Sequence, residues 1–377
     1  MHIVNIMKDI DELLSAQRVR YSLDKVSRER EITIIGPSKP GKGGSVMKVT
    51  EKLRIRTISH SKKIPLISEI LYSFRLMNLI RSLNCDIVNL NSHLQIAALP
   101  VVLATTLFHI PLVVTIHGVY SKTNPFMDAL QTMYIRTFCR ILWRKCDAIV
   151  CLTNHDATEL ASYGCPKHKM AIIPNWVNTD LFKPGTKSDG LKLVWAGRFV
   201  PPKGLEYLVR AAKLVVDKYP DCRFVLIGDG PLKSRIVEMI SVEKIAGQFD
   251  LRGHVTNDVV ASELASAAIF VFPSLKEGMP YAVLEAAASG LAIIASDIPS
   301  IRAVFANGEN ALLVKAEDPM LLAEAIMQVL RSEELRIRLQ KHARKLVEDR
   351  YKVEIVVNKT LDLYEGILQK RKSKMIH

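Results

Sequence analysis

The sequence predicts an α/β protein built from two doubly wound parallel sheets in tandem. Short apolar segments of strand length alternate with segments of helical periodicity along most of the chain, and such alternation is typical of parallel sheets. Near residues 175–190 a run rich in Asn, Thr, Lys, Pro, Gly, Ser and Asp interrupts the alternation, which then starts again. The length of 377 residues also suits two domains.

The first sheet domain is expected over residues 31–178. Residues 1–30 are polar and charged and precede the first clear strand, so we expect them to form an N-terminal extension. Residues 87–121 carry no charge, but prolines and polar side chains interrupt them, which favours a buried strand–helix–strand unit over a membrane span. The predicted strands are 31–36, 54–59, 86–91, 112–117, 147–153 and 170–174, and the predicted helices are 65–83, 94–107, 125–145 and 155–163.

The second sheet domain is expected over residues 179–350, and residues 351–377 form a final helix and a basic tail. The helix over 353–368 has one apolar face, which needs a partner. Ligands of such sheets bind outside the carboxyl ends of the strands, so we expect a site in a crevice between the two domains. The predicted strands are 191–196, 223–227, 249–252, 268–273, 292–295 and 311–314, and the predicted helices include 205–216, 231–242, 258–265 and 320–330.

Composition limits the partners of this chain. Apolar residues make up 49% of it and charged residues 24%, which is typical of a globular protein. The net charge of +14 implies an acidic partner: a phosphate-rich substrate, an anionic lipid surface or nucleic acid. Residues 127–145 mix apolar and aromatic side chains with four cations, which fits either contact with a membrane surface or a core helix with a solvated basic face.

Cysteine usage and the chain start bear on the compartment. The six cysteines are scattered and form no C-x-x-C pair, so we expect reduced thiols. The first 30 residues are charged throughout, unlike a secretory signal. We therefore expect a cytoplasmic protein. Peripheral contact with the inner face of the membrane is a further expectation.

Two cations follow the strand predicted over 191–196. Arg198 and Lys203 lie five residues apart on a proline-bearing loop that leads into a helix. Arginine offers a forked donor and lysine a point charge, and together they can converge on one diphosphate. The alternative is two unrelated surface cations, which the position at a strand end argues against.

Glu277 and Glu285 bracket the start of another predicted helix. Pro280 suits the first turn of that helix, and Gly290 suits its C-terminal cap. Glu277 then lies in the loop after strand 268–273, and Glu285 lies about 7.5 Å along the helix axis from its start. Carboxylates at such a place can bind sugar hydroxyls, and a helix N-terminus can bind phosphate. Two ordinary exposed carboxylates remain the alternative.

Residues at the ends of other strands are weaker candidates. His117 ends an apolar strand beside Gly118, where it can donate a hydrogen bond to a ligand, and His93 occupies a similar place after strand 86–91. Gly43 and Gly44 follow the strand predicted over 31–36, and their backbone N–H groups can approach phosphate, although no P-loop sequence follows.

A nicotinamide-binding fingerprint is absent from the most suitable loop. Gly228 and Gly230 form G-x-G after a strand, but Lys233 stands where the third glycine would be. An oxidoreductase is therefore the least favoured class.

These segments, in this order, resemble the retaining glycosyltransferases of family 4, which have the GT-B fold. The resemblance covers roughly residues 31–370 and is most specific in the second half of the chain. It implies two Rossmann-like domains that face a central cleft, with the C-terminal helix crossing back to the N-terminal domain. The matching segments are 173–182, 196–204, 227–231, 273–285, 296–299 and 307–310.

The resemblance also implies roles for individual residues around a nucleotide-sugar donor. Arg198 and Lys203 would bind the diphosphate, Glu277 would hold donor-sugar hydroxyls, and Glu285 would bind the ribose. His117 would contact the donor sugar near the reacting carbon. Backbone contacts are implied at Gly44 for the phosphates, at Gly278 and Met279 for the sugar, and at Gly253, His254 and Val255 for the base. Enzymes of this fold usually need no bound metal, and no cofactor is implied.

The sequence thus predicts a retaining glycosyltransferase that moves a sugar from a nucleotide sugar to a hydroxyl acceptor, with a lipid-linked or cell-surface glycan as a candidate acceptor. Two alternatives stay open. A sugar-nucleotide epimerase or hydrolase has the same two-domain crevice, and a non-catalytic subunit that binds the sugar nucleotide would share the binding residues. The predicted partners are the donor, the glycan acceptor and an anionic membrane surface, without nucleic acid.

Overall fold

The computed structural model describes residues 1–7, 17–37, 44–58, 65–92, 98–118, 125–186 and 189–376. The chain divides into two compact units. The first unit contains Met1–Pro174 together with Val356–His377, and the second unit contains Asn175–Ile355. Each unit is built on one sheet, as the alternation of strands and helices predicts.

The sheet of the first unit has eight strands in the order β3-β4-β2-β1-β5-β6-β7-β8. All neighbours are parallel except β3, which runs antiparallel to β4 at the sheet edge. The chain winds outwards from β1 in one direction and from β5 in the other, so the sheet is doubly wound. The strands are β1 His2–Ile6, β2 Glu31–Pro37, β3 Val46–Lys48, β4 Leu53–Ile58, β5 Ile87–Asn91, β6 Leu112–Ile116, β7 Ala148–Cys151 and β8 Met170–Ile172.

The prediction of an N-terminal extension over residues 1–30 is wrong. Strand β1 lies in the middle of the sheet, where Ile3 pairs with Ile32 of β2 and with Ile87 of β5. The side chains of Ile3 and Ile6 are buried. The strand is only five residues long, two of them polar, and charged residues follow it, so its sequence signal is weak. The strand predicted to be first is therefore the second of the sheet.

Helices cover the first sheet, and a core of aliphatic, aromatic and cysteine side chains lies beneath them. The helix Asn154–Ser162 begins with a capping box, in which Thr153 and Asp156 bond to each other's backbone N–H groups. A π-helical turn over Ile135–Cys139 joins two of the helices. The remaining described helices are Gln17–Glu29, Pro65–Ser82, Ala98–Leu107, Pro125–Tyr134 and Arg140–Lys145.

The C-terminal helix Val353–Ile376 returns to the first unit, and residues from Val356 onwards belong to that unit. Arg371 donates to both carboxylate oxygens of Asp147, at 3.0 and 2.9 Å, and to the carbonyl oxygen of His109 at 2.8 Å. A second ion pair joins Arg30 to Glu365 at 2.7 Å. The predicted return of this helix to the N-terminal domain is confirmed.

The sheet of the second unit is fully parallel, with six strands in the order β11-β10-β9-β12-β13-β14. The strand order reverses between β9 and β12, which pair side by side at the centre of the sheet. The strands are β9 Asp189–Ala196, β10 Arg223–Ile227, β11 Phe249–Gly253, β12 Ala267–Phe272, β13 Ala292–Ser296 and β14 Leu312–Val314. The helices are Leu205–Val216, Lys233–Val242, Asn257–Ala265, Tyr281–Ala288, Pro299–Arg302, Pro319–Arg331 and Glu333–Arg350.

The six cysteines are unpaired and buried, as the lack of paired spacing predicts. Burial raises the pKa of the Cys85 and Cys222 thiols to about 11 and that of Cys146 to about 12. Over the described ranges, no helix has the length and apolar character that crossing a bilayer requires.

Candidate functional site

The loops after β9 and β12 leave adjacent strands at the point where the order of the second sheet reverses. Open α/β sheets bind ligands outside the carboxyl ends of their strands at this switch point. The first loop runs over residues 197–204 and the second over residues 273–280. They carry the cations and the first glutamate singled out in the sequence.

The two loops are held together by their backbones. The N–H of Leu275 donates to the carbonyl oxygen of Pro202 at 2.8 Å. Gly204 has φ +64°, and a Cβ atom there would lie 2.0 Å from the carbonyl oxygen of Pro273. Only glycine satisfies both the left-handed conformation and the close approach. Lys203, which precedes Gly204, is thereby fixed against the β12 loop.

Lys203 and Glu277 form an ion pair across the two loops. The Nζ atom of Lys203 lies 2.7 Å from Oε1 of Glu277, and the two side chains are 22% and 10% exposed. The Nζ atom also lies 5.4 Å from the ring centroid of Phe272, within the range of a cation–π contact. The sequence predicts both residues but not their contact, because 74 residues separate them and only the loop pairing joins them.

Arg198 lies on the same loop and is exposed. Among the residues that the structure describes, no carboxylate lies within ion-pair distance of its guanidinium. Its peptide is nevertheless well held, since the neighbouring N–H groups of Gly197 and Phe199 donate to Ile227 and Asp229 of the β10 loop, each at 2.9 Å. A charged group that is free at its tip and fixed at its base suits the binding of an anion.

The start of the helix Tyr281–Ala288 has no side-chain cap. From the described residues, nothing accepts a hydrogen bond from the N–H groups of Gly278 or Met279. Met279 is buried, and the side chain of Asn175 donates to its carbonyl oxygen at 2.7 Å. This contact fixes the loop and leaves those two N–H groups without an acceptor among the described residues, so the helix start can bind a ligand oxygen.

Two further polar groups lie behind this loop. Glu285 is 7% exposed within the helix Tyr281–Ala288, so its carboxylate is buried. The alternative of two ordinary exposed carboxylates therefore does not hold for Glu285. The Ser274 side chain is fully buried, and its hydroxyl has no hydrogen-bond partner among the described residues. Ser274 is not recognisable in the sequence, because a serine at a strand end carries no distinctive pattern. The ribose role of Glu285 stays a prediction.

The turn Gly253–Val255 ends β11, two strands from β9 along the same sheet edge. Gly253 has φ +65°, and its carbonyl oxygen accepts from the N–H of Gly228 at 2.8 Å. His254 is exposed there. Hydrogen bonds from Lys233 and from the N–H of Gly230 hold the pKa of Asp229, in the neighbouring loop, below its ordinary value. The base-binding role of the turn stays a prediction.

The first unit supplies the remaining described candidates. His117 follows β6 at the carboxyl edge of its sheet, is exposed, and is followed by Gly118 with φ +115°. Gly44 is exposed and precedes the edge strand β3. Strands β2, β1 and β5 separate β4 from β6, so the structure does not bring Gly44 and His117 together. His93 and Gly43 lie outside the described residues.

Two family models match this chain in succession. The model described as Glycosyltransferase Family 4 matches residues 26–181, and the model described as Glycosyl transferases group 1 matches residues 177–346. The second match contains Arg198, Lys203, Glu277 and Glu285.

Curated relatives agree over most of their length. An uncharacterized glycosyltransferase of Methanocaldococcus jannaschii is 28% identical over 284 residues, which cover 75% of this chain and 76% of that protein. The UDP-Gal:alpha-D-GlcNAc-diphosphoundecaprenol alpha-1,3-galactosyltransferase of Escherichia coli is 28% identical over 325 residues, which cover 80% of this chain and 81% of that protein.

Solved structures show the same fold. The sucrose-phosphate synthase of Thermosynechococcus elongatus superposes with a TM-score of 0.82 at 18% identity, covering 98% of this chain and all of that one. The Anabaena protein HepE in complex with UDP-glucose superposes with a TM-score of 0.78 at 14% identity, covering 97% of this chain and 100% of that one. Since the family models together span residues 26–346, the chain is a glycosyltransferase with the GT-B fold.

Proposed function

We propose that this protein transfers a sugar from a nucleotide sugar to a hydroxyl acceptor with retention of anomeric configuration. The observation that carries the proposal is the ion pair between Lys203 and Glu277 at the switch point of the second sheet. It joins a partly buried cation to a partly buried carboxylate, and this supports the proposal because a cation can bind the diphosphate and a carboxylate the sugar hydroxyls.

Relatives support a nucleotide-sugar donor. The galactosyltransferase of Escherichia coli is named for UDP-Gal, and the HepE structures contain UDP, glucose or UDP-glucose. The chemistry of the site in this chain is compatible with such a donor, because cations and unsatisfied N–H groups bind phosphate oxygens while carboxylates accept from hydroxyls.

In the proposed reaction, the bond between the anomeric carbon and the diphosphate oxygen breaks. Lys203, Arg198 and the N–H groups of Gly278 and Met279 stabilise the negative charge that develops on the leaving diphosphate. We assign this electrostatic role to the two cations instead of a bound metal. Glu277 accepts hydrogen bonds from donor-sugar hydroxyls and orients the ammonium of Lys203.

Retention follows in this proposal from attack on the same face that the diphosphate leaves. The acceptor oxygen bonds to the anomeric carbon, and its proton passes to the departing phosphate oxygen. The proposed step has no covalent intermediate between sugar and enzyme, and Glu277 accepts hydrogen bonds from the donor sugar. Proton NMR of the first product tests this step: the donor's anomeric configuration is expected, and the opposite configuration would contradict retention.

The acceptor is proposed to be a lipid-linked glycan. The relative from Escherichia coli is named for a sugar joined to diphosphoundecaprenol, and it covers 80% of this chain. Residues 127–145 and the basic charge are compatible with an acceptor that is held at a membrane.

A screen of nucleotide sugars by thermal shift identifies the donor, because a ligand that binds only the native state raises the melting temperature. With that donor, Lys203→Ala is expected to lower transfer by at least a hundredfold, while Lys213→Ala leaves it unchanged. Lys213 is a matched control, since its ion pair with Asp217 is exposed on a helix of the same unit. Equal transfer by both variants would refute the assignment.

Turnover of the donor without any acceptor would instead indicate an epimerase or hydrolase.

A further inference from the structure

Net charge is unevenly divided between the two units. The first unit carries 28 Lys and Arg residues against 15 Asp and Glu residues, a net charge of +13. The second carries 24 against 23, a net charge of +1. Almost all of the surplus of +14 therefore belongs to the first unit. Such asymmetry favours an anionic partner that meets the first unit specifically.

The helix Ala98–Leu107 of the first unit exposes a row of leucines. It contains no charged residue, and its inner face, which includes Val101 and Ala104, is buried in the core. Leu99, Leu103 and Leu107 lie on the outer face and are 60%, 48% and 57% exposed. Because they follow one another at every fourth position, they form a ridge about 12 Å long. We call these three residues the leucine ridge.

The helices on either side extend this apolar surface. Pro65–Ser82 and Arg140–Lys145 both pack against Ala98–Leu107. Arg81 at the end of the first of them lies 5.6 Å from the ring centroid of Phe108, which directly follows the ridge helix. On these two helices the exposed large apolar side chains are Leu71, Phe74 and Ile141. Met133 is also exposed, on the helix that the π-helical turn joins to Arg140–Lys145. Clustered exposed apolar side chains of this kind mark an interaction surface.

The elements next to the ridge helix carry exposed cations. Every exposed charged residue is basic among the described side chains of the helices Pro65–Ser82 and Arg140–Lys145 and of the π-helical turn Ile135–Cys139: Arg75, Arg81, Arg136, Arg140, Arg144 and Lys145. No ion pair joins Arg136 or Arg144 to a described carboxylate. Apolar and basic side chains share one outward face over residues 133–144. The exposed residues there follow one another at intervals of three, four or one: Met133, Arg136, Arg140, Ile141 and Arg144.

We propose that this surface binds an anionic lipid bilayer, with the leucine ridge inserted at the boundary between headgroups and acyl chains and the arginines on the headgroup phosphates. Interfacial binding combines buried apolar area with attraction to anionic lipid, and this surface supplies both. A second copy of the chain is a poorer occupant, because a two-fold interface would bring the same cations face to face. The surface belongs to the first unit, so the inference does not depend on the donor site of the second.

Vesicle flotation tests this proposal on the full-length protein. We expect binding to vesicles of phosphatidylcholine and phosphatidylglycerol at low salt, and little binding to pure phosphatidylcholine. Raising the salt to about 1 M shortens the Debye length to about 3 Å and should weaken binding at least tenfold. Leu103→Glu with Leu107→Glu should weaken binding at least tenfold through lost insertion. Arg136→Glu with Arg144→Glu should weaken it comparably through lost attraction to the headgroups.

A matched control uses the second unit. Ile337 and Arg338 are adjacent and exposed on the helix Glu333–Arg350, so Ile337→Glu with Arg338→Glu adds comparable charge elsewhere and should leave vesicle binding unchanged. Melting temperatures establish that each variant is folded. Absence of binding at low salt, or ridge variants that bind like the unaltered protein, would overturn the proposal. Sedimentation that shows a dimer lost on Leu103→Glu with Leu107→Glu would also overturn it, in favour of a second copy.

Discussion

Lys203 occupies an environment that is unusual for a lysine. Its ammonium is only partly exposed and lies between a carboxylate and an aromatic ring. Desolvation of a charged group is costly unless a partner compensates it, so Glu277 stabilises the cation in its place. A diphosphate bound at this point would share the ammonium with Glu277. The two residues are therefore coupled, and variants of each should have different consequences.

Glu277→Gln separates these consequences at the level of one residue. The amide keeps the size of the side chain but removes the charge that competes with a diphosphate for Lys203. We expect transfer to fall at least a hundredfold, while the affinity for a free nucleoside diphosphate stays equal or rises severalfold. Calorimetry and initial rates on the same preparation measure both quantities. A parallel loss of diphosphate affinity would show that the charge of Glu277 supports diphosphate binding. That result would contradict the proposed division of roles between Glu277 and Lys203.

The sequence predicts the residues of the site better than their contacts. Arg198, Lys203 and Glu277 are recognisable because each follows a clear strand and carries charge. Three features of the site depend on which loops meet. They are the ion pair of Lys203 with Glu277, the Ser274 hydroxyl that has no described partner, and the hydrogen bond from Asn175 to Met279. Such meetings are set by the order of strands in the sheet, which a single sequence does not reveal.

At the scale of elements, the two loops of the switch point behave as one unit. Gly204 is tightly constrained in the first of these loops, since both its φ of +64° and its approach to Pro273 exclude a side chain. Its neighbours would have to separate if a Cβ atom were added, and Lys203 would then move away from Glu277.

Gly204→Ala is therefore expected to lower the free energy of unfolding by about 2–4 kcal/mol, from the left-handed conformation and the overpacking together. It should also lower transfer in the fraction that remains folded. Urea unfolding measures the first effect and initial rates the second. Gly247→Ala is the control, because no atom lies within 4 Å of the added Cβ and its effect should stay within about 0.5 kcal/mol. Equal effects of the two substitutions would contradict the constraint.

Strand β1 shows where element prediction fails. A five-residue segment with three apolar residues is too short to display a period of two convincingly, and the charged residues after it suggest a tail. Only pairing with β2 and β5 makes the segment a central strand. The strands β2, β6 and β12 are predicted because their apolar runs stand between turn signals.

At the scale of the molecule, the two units share one construction principle and differ in charge. Each has a doubly wound sheet, which the alternating pattern predicts from the sequence. In each sheet the strand order reverses near the centre, and only the structure gives that order. The net charge is +13 in the first unit and +1 in the second, so the proposed binding of an anionic bilayer belongs to the first unit. The division of the fold into two chemically different halves suits an enzyme whose donor and acceptor differ in character.

The central claim is that the switch point of the second sheet binds the diphosphate of a nucleotide sugar. Calorimetric titration of a nucleoside diphosphate and of the corresponding nucleoside tests it most directly, on the unaltered protein and on Lys203→Ala. We expect Lys203→Ala to weaken the diphosphate at least thirtyfold, about 2 kcal/mol, and to change nucleoside binding less than threefold. Equal affinities of the two proteins for the diphosphate would contradict the account.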